Sequence, residues 1–599
     1  MLASIRRLGL AAAVAAGAAG CSHPQVESPL DRGSCAGSSP CPPGGSSSGT
    51  SGASGTSGGA SGGSSGAAGG STSGATGGGS SSGSASSGGS TSGGAWGGVL
   101  QRGNDAARDA VFVDPAFTKA NVASLHLDAS FTSATWQGPV FAQPLYFVDA
   151  AIGKDLLVVA TEQNEVVALD AATGSALWRR TLGPPVTDFT TMACPGSIAP
   201  LGITGTPVID PGARTLFVAA LTVVAGKPHH EVWALHLDDG TIAGGWPVDV
   251  EGATAKLTDG TVVTFQSSVE NQRGALLLSS GTLFVPYGGL WGDCGPYRGW
   301  IAALSEEGPS LIETFATDAP GCGFWAPGGL AAAPKGAVIG GTGNAIDDAE
   351  AHAWGGGEAV IEFSGPMLGF NPADDQSFYA RSDYAYLDQN DLDLGSTAPI
   401  RFDFDDPLTG RYSLLFTIGK THDAILIDQS HPGGIGGQIS EPRVASGEVH
   451  GSLAAYHTAA GTYLAFNGPP AACPNDAAAA GDPTQIVALR VNPSTATTPI
   501  EAGVAWCGSQ GGFGAPIVTT TDGTRDALVW GLGGSSNTPP RAAGTGALTA
   551  FDGDTGAIVF GDRGANLGGA SIQQWVPPIV AKGRLFVATD TRAYAFTLP

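Results

Sequence analysis

The chain has 599 residues, enough by length alone for several domains. Its 94 glycines and 40 prolines point to a turn-rich all-β protein enlarged by a low-complexity segment. Only 13% of residues are charged and the formal net charge is −25, so the surface repels phosphate backbones and nucleic acid is excluded as a partner.

Residues 1–20 have the parts of an export signal peptide. Arg6 and Arg7 precede an apolar run from Leu8 through Ala19, which is too short to cross a bilayer of ~30 Å as a helix. The run ends in Ala18, Ala19 and Gly20, directly before Cys21. That arrangement resembles the lipobox of bacterial lipoproteins, which implies cleavage before Cys21 and a lipid anchor on its sulfur. Ser22, standing where aspartate would follow in an inner-membrane lipoprotein, implies the outer membrane, with the body periplasmic or surface-exposed. Residues 21–95 then read as a disordered tether, almost wholly Gly, Ser, Ala and Thr from Gly33 to Gly94. Such a segment cannot bury enough apolar surface to offset chain entropy. About 60 residues of this kind span roughly 40 Å root-mean-square. Cys35 and Cys41, at its start, could close a small loop by disulfide in an oxidising compartment.

The folded part begins at Trp96 and is expected to run, as one domain, over residues 96–599. Its organising unit is Leu156 to Gly183, LLVVATEQNEVVALDAATGSALWRRTLG, which holds three short strands with Trp178 on the third. The turn from Asp170 to Gly174 joins the last two, the glycine supplying the positive φ a tight hairpin needs. One such unit cannot bury its own apolar faces, and degraded copies recur from Thr215, Thr282, Ala337, Ser413, Thr462 and Ala527, and in GRLFVATDTRAYAFTLP at the C-terminus. These repeats resemble those of quinoprotein-type β-propellers, named for pyrroloquinoline quinone, and place the chain with the exported lipoprotein branch of that family. The implied fold is all-β: a single propeller of about eight four-stranded blades.

The leader, Gln101 to Pro115 and Asn121 to Phe131, also resembles that of exported quinoprotein-like proteins. The last blade, from Val576, offers three strands before the chain ends. The alternating stretch Leu125 to Thr132 is expected to supply its outer strand and so close the ring.

Ligand sites in propellers form where inner strands begin around the channel. Candidates at such places are Gln143, Thr206, Gln272, Arg273, Trp325, Asn344, Asp393, Lys420 and Trp575, with Thr204, Tyr297, Trp300, Asp391 and Gln574 beside them. Amides, two cations, a carboxylate and aromatic rings together suit a flat polar ligand. Against that stands the structural alternative, in which each satisfies a backbone group or plugs the channel.

The acidic run Asp388 to Asp393 invites calcium, yet it lacks the glycine and terminal glutamate of an EF-hand loop, and Asp393 reads as the head of a strand. His229, His230 and Glu231 read as a hairpin loop whose adjacent histidines diverge, so no metal site is expected there. No HExxH, GxSxG or haem-attaching CxxCH is present, and no catalytic residue is assigned. Dehydrogenases of this family use pyrroloquinoline quinone with calcium, and many stack adjacent cysteines on the quinone; this chain has no Cys-Cys pair. Of the five propeller cysteines, Cys473 and Cys507 fall in one blade and are expected to pair, while Cys294 could meet Cys194 or Cys322.

The leading expectation is therefore a lipid-anchored, non-catalytic binding or scaffold propeller without a bound cofactor. In plan it is similar to the propeller lipoprotein of the outer-membrane assembly machine. The alternatives are a quinone-dependent alcohol or sugar dehydrogenase and a carbohydrate-binding surface protein. The membrane is met through the anchor; the other partner is a protein or a carbohydrate.

Overall fold

A computed structural model describes residues 98–195, 198–346, 354–536, 542–561, 567 and 569–599. The signal peptide, Cys21, the Gly/Ser tether, Cys35, Cys41 and Trp96 lie outside the described residues.

Eight small antiparallel sheets follow one another along the chain, with a separate two-stranded ribbon, Thr254–Lys256 against Val262–Thr264. Each sheet is built on a central strand of apolar, mostly β-branched or aromatic residues. In order these are Leu156–Ala160, Thr215–Val224, Thr282–Gly289, Val338–Gly341, Gly410–Thr417, Gly461–Asn467, Leu528–Leu532 and Arg584–Ala588. Both faces of these strands are largely buried, the first half of Gly410–Thr417 excepted, because consecutive sheets pack face to face. One apolar cluster joins the last blades to the first, with Phe586 and Val587 against Tyr146 and Val159. The arrangement is an eight-bladed β-propeller.

The tight turn anticipated at Asp170 has a simple construction. Asp170 accepts the Ala172 N–H on its carboxylate at 2.9 Å and the Gly174 N–H on its carbonyl at 2.8 Å. Gly174 sits at φ +78, and a Cβ there would come within 2.7 Å of Thr132 backbone. Asp552 and Gly556 rebuild the same turn in the seventh blade. Neighbouring blades are pinned by indoles resting on these turns: Trp178 donates to the Leu237 carbonyl at 2.7 Å, and Trp506 to that of Gly553 at 2.9 Å.

The leader runs along the axis-facing edges of the inner strands. Gly98–Val99 pairs with Tyr146 and Phe147 of the first blade. The carbonyls of Leu100, Ala106, Ala107, Asp109 and Ala110 then accept N–H groups of Ile209, Ala332, Arg401, Ala455 and Val518 in the second, fourth, fifth, sixth and seventh blades. Val111–Val113 joins the seventh blade in parallel with Val518–Thr520. Farther on, His126–Leu127 pairs antiparallel with Thr597 and Phe596 on the outside of the C-terminal sheet. The paired segment is shorter than the expected Leu125 to Thr132, because Phe131 turns back on Asp128 and Thr132 and Ala134 bond the turn at Thr173 and Gly174.

Two local readings are corrected. His229–Glu231 lies inside the strand Lys227–His236, not in a loop, since the hairpin turns tightly at Ala225 and Gly226. Its alternation sends His230 into the core, where burial lowers its pKa to about 4, while His229 meets Asp249 at 2.7 Å. Asp393 heads a 3-10 turn, Leu394–Ser396, and the strand begins only at Ile400. Cys194 is bonded to Cys294, Cys473 to Cys507, and Cys322 is a buried free thiol.

Candidate functional site

The nominated residues separate into a filled channel and an open cleft. Gln143 and Thr206 belong to the channel. Thr206 Oγ1 accepts the Gln143 N–H at 3.0 Å, and Gln143 Oε1 accepts the leader's Gly103 N–H at 3.1 Å. Gln272 turns inward and donates to the carbonyls of Gly274 and Pro286. Thr204 is buried, and Trp300 packs in the third blade with its ring 5.5 Å from Phe265. These side chains satisfy backbone groups or fill core, as the structural alternative holds.

Arg273, Trp325, Asp393 and Lys420, with Tyr297 and Asp391, instead converge on a cleft of about 270 Å³. Each is delivered by a short segment at the end of a strand or turn, so residues distant in sequence meet above the channel. Arg273 follows the inner strand Glu270–Asn271, and its guanidinium lies over the Trp325 ring at 5.0 Å, a cation–π contact. The helix Tyr384–Asn390 ends with Asp391 in the left-handed region, which turns the chain toward Lys420. Lys420 Nζ sits 2.5 Å from Asp391 Oδ1 and 2.5 Å from Asp393 Oδ2. Burial lowers the ammonium pKa, but the charge of Asp393 and the bonds to both carboxylates outweigh it, and the net shift is upward. Asp393 Oδ1 also accepts the Asn344 N–H at 2.7 Å, so Asn344 holds the carboxylate through its backbone. Glycine is required at 343, since a Cβ there would overlap the Asp393 carboxylate.

On the opposite wall Tyr297 and Trp575 were nominated from the sequence, whereas Asp293, Glu448 and His450 were not. Glu448 accepts from His450 Nε2 at 3.0 Å, and that bond holds its carboxyl below the usual range. The His450 ring lies between Trp325 and Trp575, at centroid distances of 5.9 Å and 6.3 Å. Tyr297 donates to Asp293 at 2.7 Å. The lining also includes Trp291. The one advance signal for Glu448 and His450 was their i, i+2 placement in a polar loop before a strand.

Beneath the cleft lies a reserve of buried acid. Glu358 is fully buried and accepts the Leu394 N–H at 2.6 Å; burial, then the charge of Asp393, push its pKa well up. Burial raises Asp388 to about 6 while its carboxylate holds the Ala345 N–H at 2.7 Å. The acidic run is thus committed to backbone groups and to Lys420. Among the described residues no three His, Cys, Asp or Glu side chains are grouped to hold a metal ion.

The family described as outer membrane protein assembly factor BamB matches residues 132–282. No curated protein matches the chain. Among solved structures it resembles the quinohemoprotein alcohol dehydrogenase ADHIIG from Pseudomonas putida HK5, at 13% identity and a TM-score of 0.55 over 84% of this chain and 80% of that one. It also resembles the quinohemoprotein alcohol dehydrogenase from Comamonas testosteroni, at 14% identity and a TM-score of 0.50, covering 83% of this chain and 80% of that one. BamB from Moraxella catarrhalis aligns at 11% identity and a TM-score of 0.42, over 79% and 99% of the two chains.

The quinone that such dehydrogenases carry is a flat tricarboxylate, and the cleft can be tested for it. Its described lining has the carboxylates Asp293, Asp391, Asp393 and Glu448 against the cations Arg273 and Lys420. Lys420, the deeper cation, is already held between two aspartates. With carboxylates outnumbering cations, a trianion here would need a divalent ion beside it, and among the described residues no three His, Cys, Asp or Glu side chains are grouped to hold one. What repeat, topology and comparison agree on is the architecture: the chain is a β-propeller built of pyrroloquinoline-quinone-like repeats.

Proposed function

We propose that this protein is a lipid-anchored, non-catalytic binding propeller of the outer membrane, held by Cys21 on a long tether and presenting the cleft to a partner in the periplasm or at the surface. The observation that carries this reading is the state of Lys420. A cation clamped by Asp391 and Asp393 at 2.5 Å each is a stable part of the wall, which favours a recognition surface over a quinone seat. The match of residues 132–282 to a family described as an assembly factor supports a protein as the partner.

A dehydrogenase acting on an alcohol or sugar is the second reading, favoured by the meeting of Arg273, Trp325, Asp393 and Lys420 in one cleft. A carbohydrate ligand is the third, supported by the half-buried Trp291 and Trp325 in a cleft that also holds carboxylates. Two measurements test the anchor and the dehydrogenase reading. The Cys21→Ala variant should leave the washed outer-membrane fraction, and its retention there would contradict the anchor. Purified protein supplied with pyrroloquinoline quinone and calcium should reduce no dye with alcohols or aldoses; dye reduction lost in Asp393→Ala would establish the dehydrogenase.

A further inference from the structure

Three carboxylates stand at the mouth of the cleft with oxygens to spare. Asp391 gives one oxygen to Lys420, Glu448 one to His450, and Asp293 one to Tyr297. Among the described residues their second oxygens accept no hydrogen bond. The Asp391 and Glu448 side chains are 67% and 52% exposed, and Asp293 is exposed as well. The cations of the cleft do not answer this charge. Lys420 is 11% exposed and is already held by Asp391 and Asp393. Arg273 lies over Trp325 and, among the described residues, forms no ion pair within 4.0 Å. Burial raises the Asp391 carboxyl against the pull of Lys420, and the charges of Asp393 and Asp293 raise it further. The mouth is short of a positive charge.

The wall beside it is aromatic and held in place. Trp291 is half-buried, and among the described residues no aromatic ring or cation stacks on it. Its loop is pinned by the Cys194–Cys294 disulfide to the connection between the first and second blades, and by the bond from Tyr297 to Asp293. A loop fixed in advance loses little freedom when a ligand arrives. The cleft also shows which cation suits such a wall, since the Arg273 guanidinium lies 5.0 Å above the Trp325 ring. At about 270 Å³ the space falls just below the ~300–1,000 Å³ of small-molecule sites and suits one side chain entering from outside. Guanidinium meets all these conditions: it is planar and weakly hydrated, it stacks on indoles, and it offers carboxylates a fork of donors.

Taking the cleft as the recognition site, we infer that it receives an arginine side chain of a partner protein, bound by the free oxygens of Asp293, Asp391 and Glu448 and flanked by Trp291. The formal net charge of −25 steers such a partner inward.

The test uses the mature protein and two blocked tripeptides, glycyl-arginyl-glycine and its citrulline counterpart, which keeps the shape and lacks the charge. In calorimetric titration the arginine peptide should bind saturably, and the citrulline peptide about tenfold more weakly or less. The double variant Asp391→Asn, Glu448→Gln should weaken the arginine peptide by about tenfold. Asp405→Asn, which removes a charge 76% exposed and outside the cleft, should leave it unchanged. Equal binding of the two peptides, no saturable heat with either, or an affinity that the double variant keeps would overturn the inference and leave the cleft a recognition site for another group. An equal loss in Asp405→Asn would mark general attraction to an acidic surface and overturn it too. Saturable binding of the quinone would instead remove the recognition reading itself. The peptide comparison is made on the wild-type protein, so a variant that fails to fold leaves the test intact.

Discussion

Arg102 Nη2 donates to the carbonyl oxygen of Trp575 at 2.6 Å, joining the leader in the channel to the wall of the cleft. Trp575 holds a left-handed backbone at φ +65, fixed from one side by its N–H on the Phe513 carbonyl at 2.7 Å and from the other by Arg102. Its ring backs His450, so the leader supports the cleft through one residue.

Replacing Arg102→Met should therefore act twice. The buried Trp575 carbonyl loses its donor, at a cost of about 1–3 kcal/mol, while Thr206 Oγ1 keeps the Gln143 N–H and half-buried Ser452 can turn to water. Urea unfolding should show a loss of about 1–3 kcal/mol. Tryptophan emission should shift as Trp575 relaxes, whereas an equally destabilising core substitution far from the leader should leave native emission unchanged.

Truncation tests whether the leader and its outer strand complete the ring. Deleting Gly33 to Gly94 should leave the melting temperature unchanged. Deleting everything through Thr132 removes the buried side chains of Phe112, Phe117, Val122 and Leu125 and uncovers the edge that His126–Leu127 protects. At about 1.5–3 kcal/mol per large buried side chain, the loss should reach several kcal/mol. Equal melting temperatures would reject the closure.

Acid buried between blades sets the pH dependence. Glu162 is fully buried, holds the Gly202 N–H at 2.7 Å, and is raised by burial from 4.5 to about 7. Its folded state binds the proton more tightly than the unfolded chain does. The associated stability is complete below about pH 4.5 and is lost as pH rises through about 7, at about 1.4 kcal/mol per pH step and roughly 3 kcal/mol in all. Glu162→Gln keeps an oxygen for Gly202 and removes the ionisation, so it should stabilise the protein at pH 8 relative to wild type and not at pH 4.5. Denaturant midpoints at the two pH values check this, and a uniform effect would contradict it.

The blades were legible because each repeats an apolar strand, a hairpin glycine and a partner strand, and burial on both faces enforces that order. The leader's path was not, because Gly98–Val99 and Val111–Val113 are too short to show a period, and nothing local marks Arg102 and Arg108 as buried. The site was legible in part. Arg273, Trp325, Asp393 and Lys420 stand beside strand ends that face the channel, yet nothing local distinguished them from Gln143, Thr206 and Gln272, whose polar atoms serve the backbone. Asp293, Glu448 and His450 come from loops that only the closed ring brings together.

The central claim is that the cleft is a recognition site and not a quinone seat. Its most direct test is calorimetric titration of the purified protein with pyrroloquinoline quinone in the presence of calcium. No saturable heat should appear, because the lining carboxylates outnumber the cations and no three described ligands are grouped to hold the calcium that would offset them. Saturable binding that vanishes in Arg273→Ala would contradict the account and return the cleft to the dehydrogenases it resembles in fold.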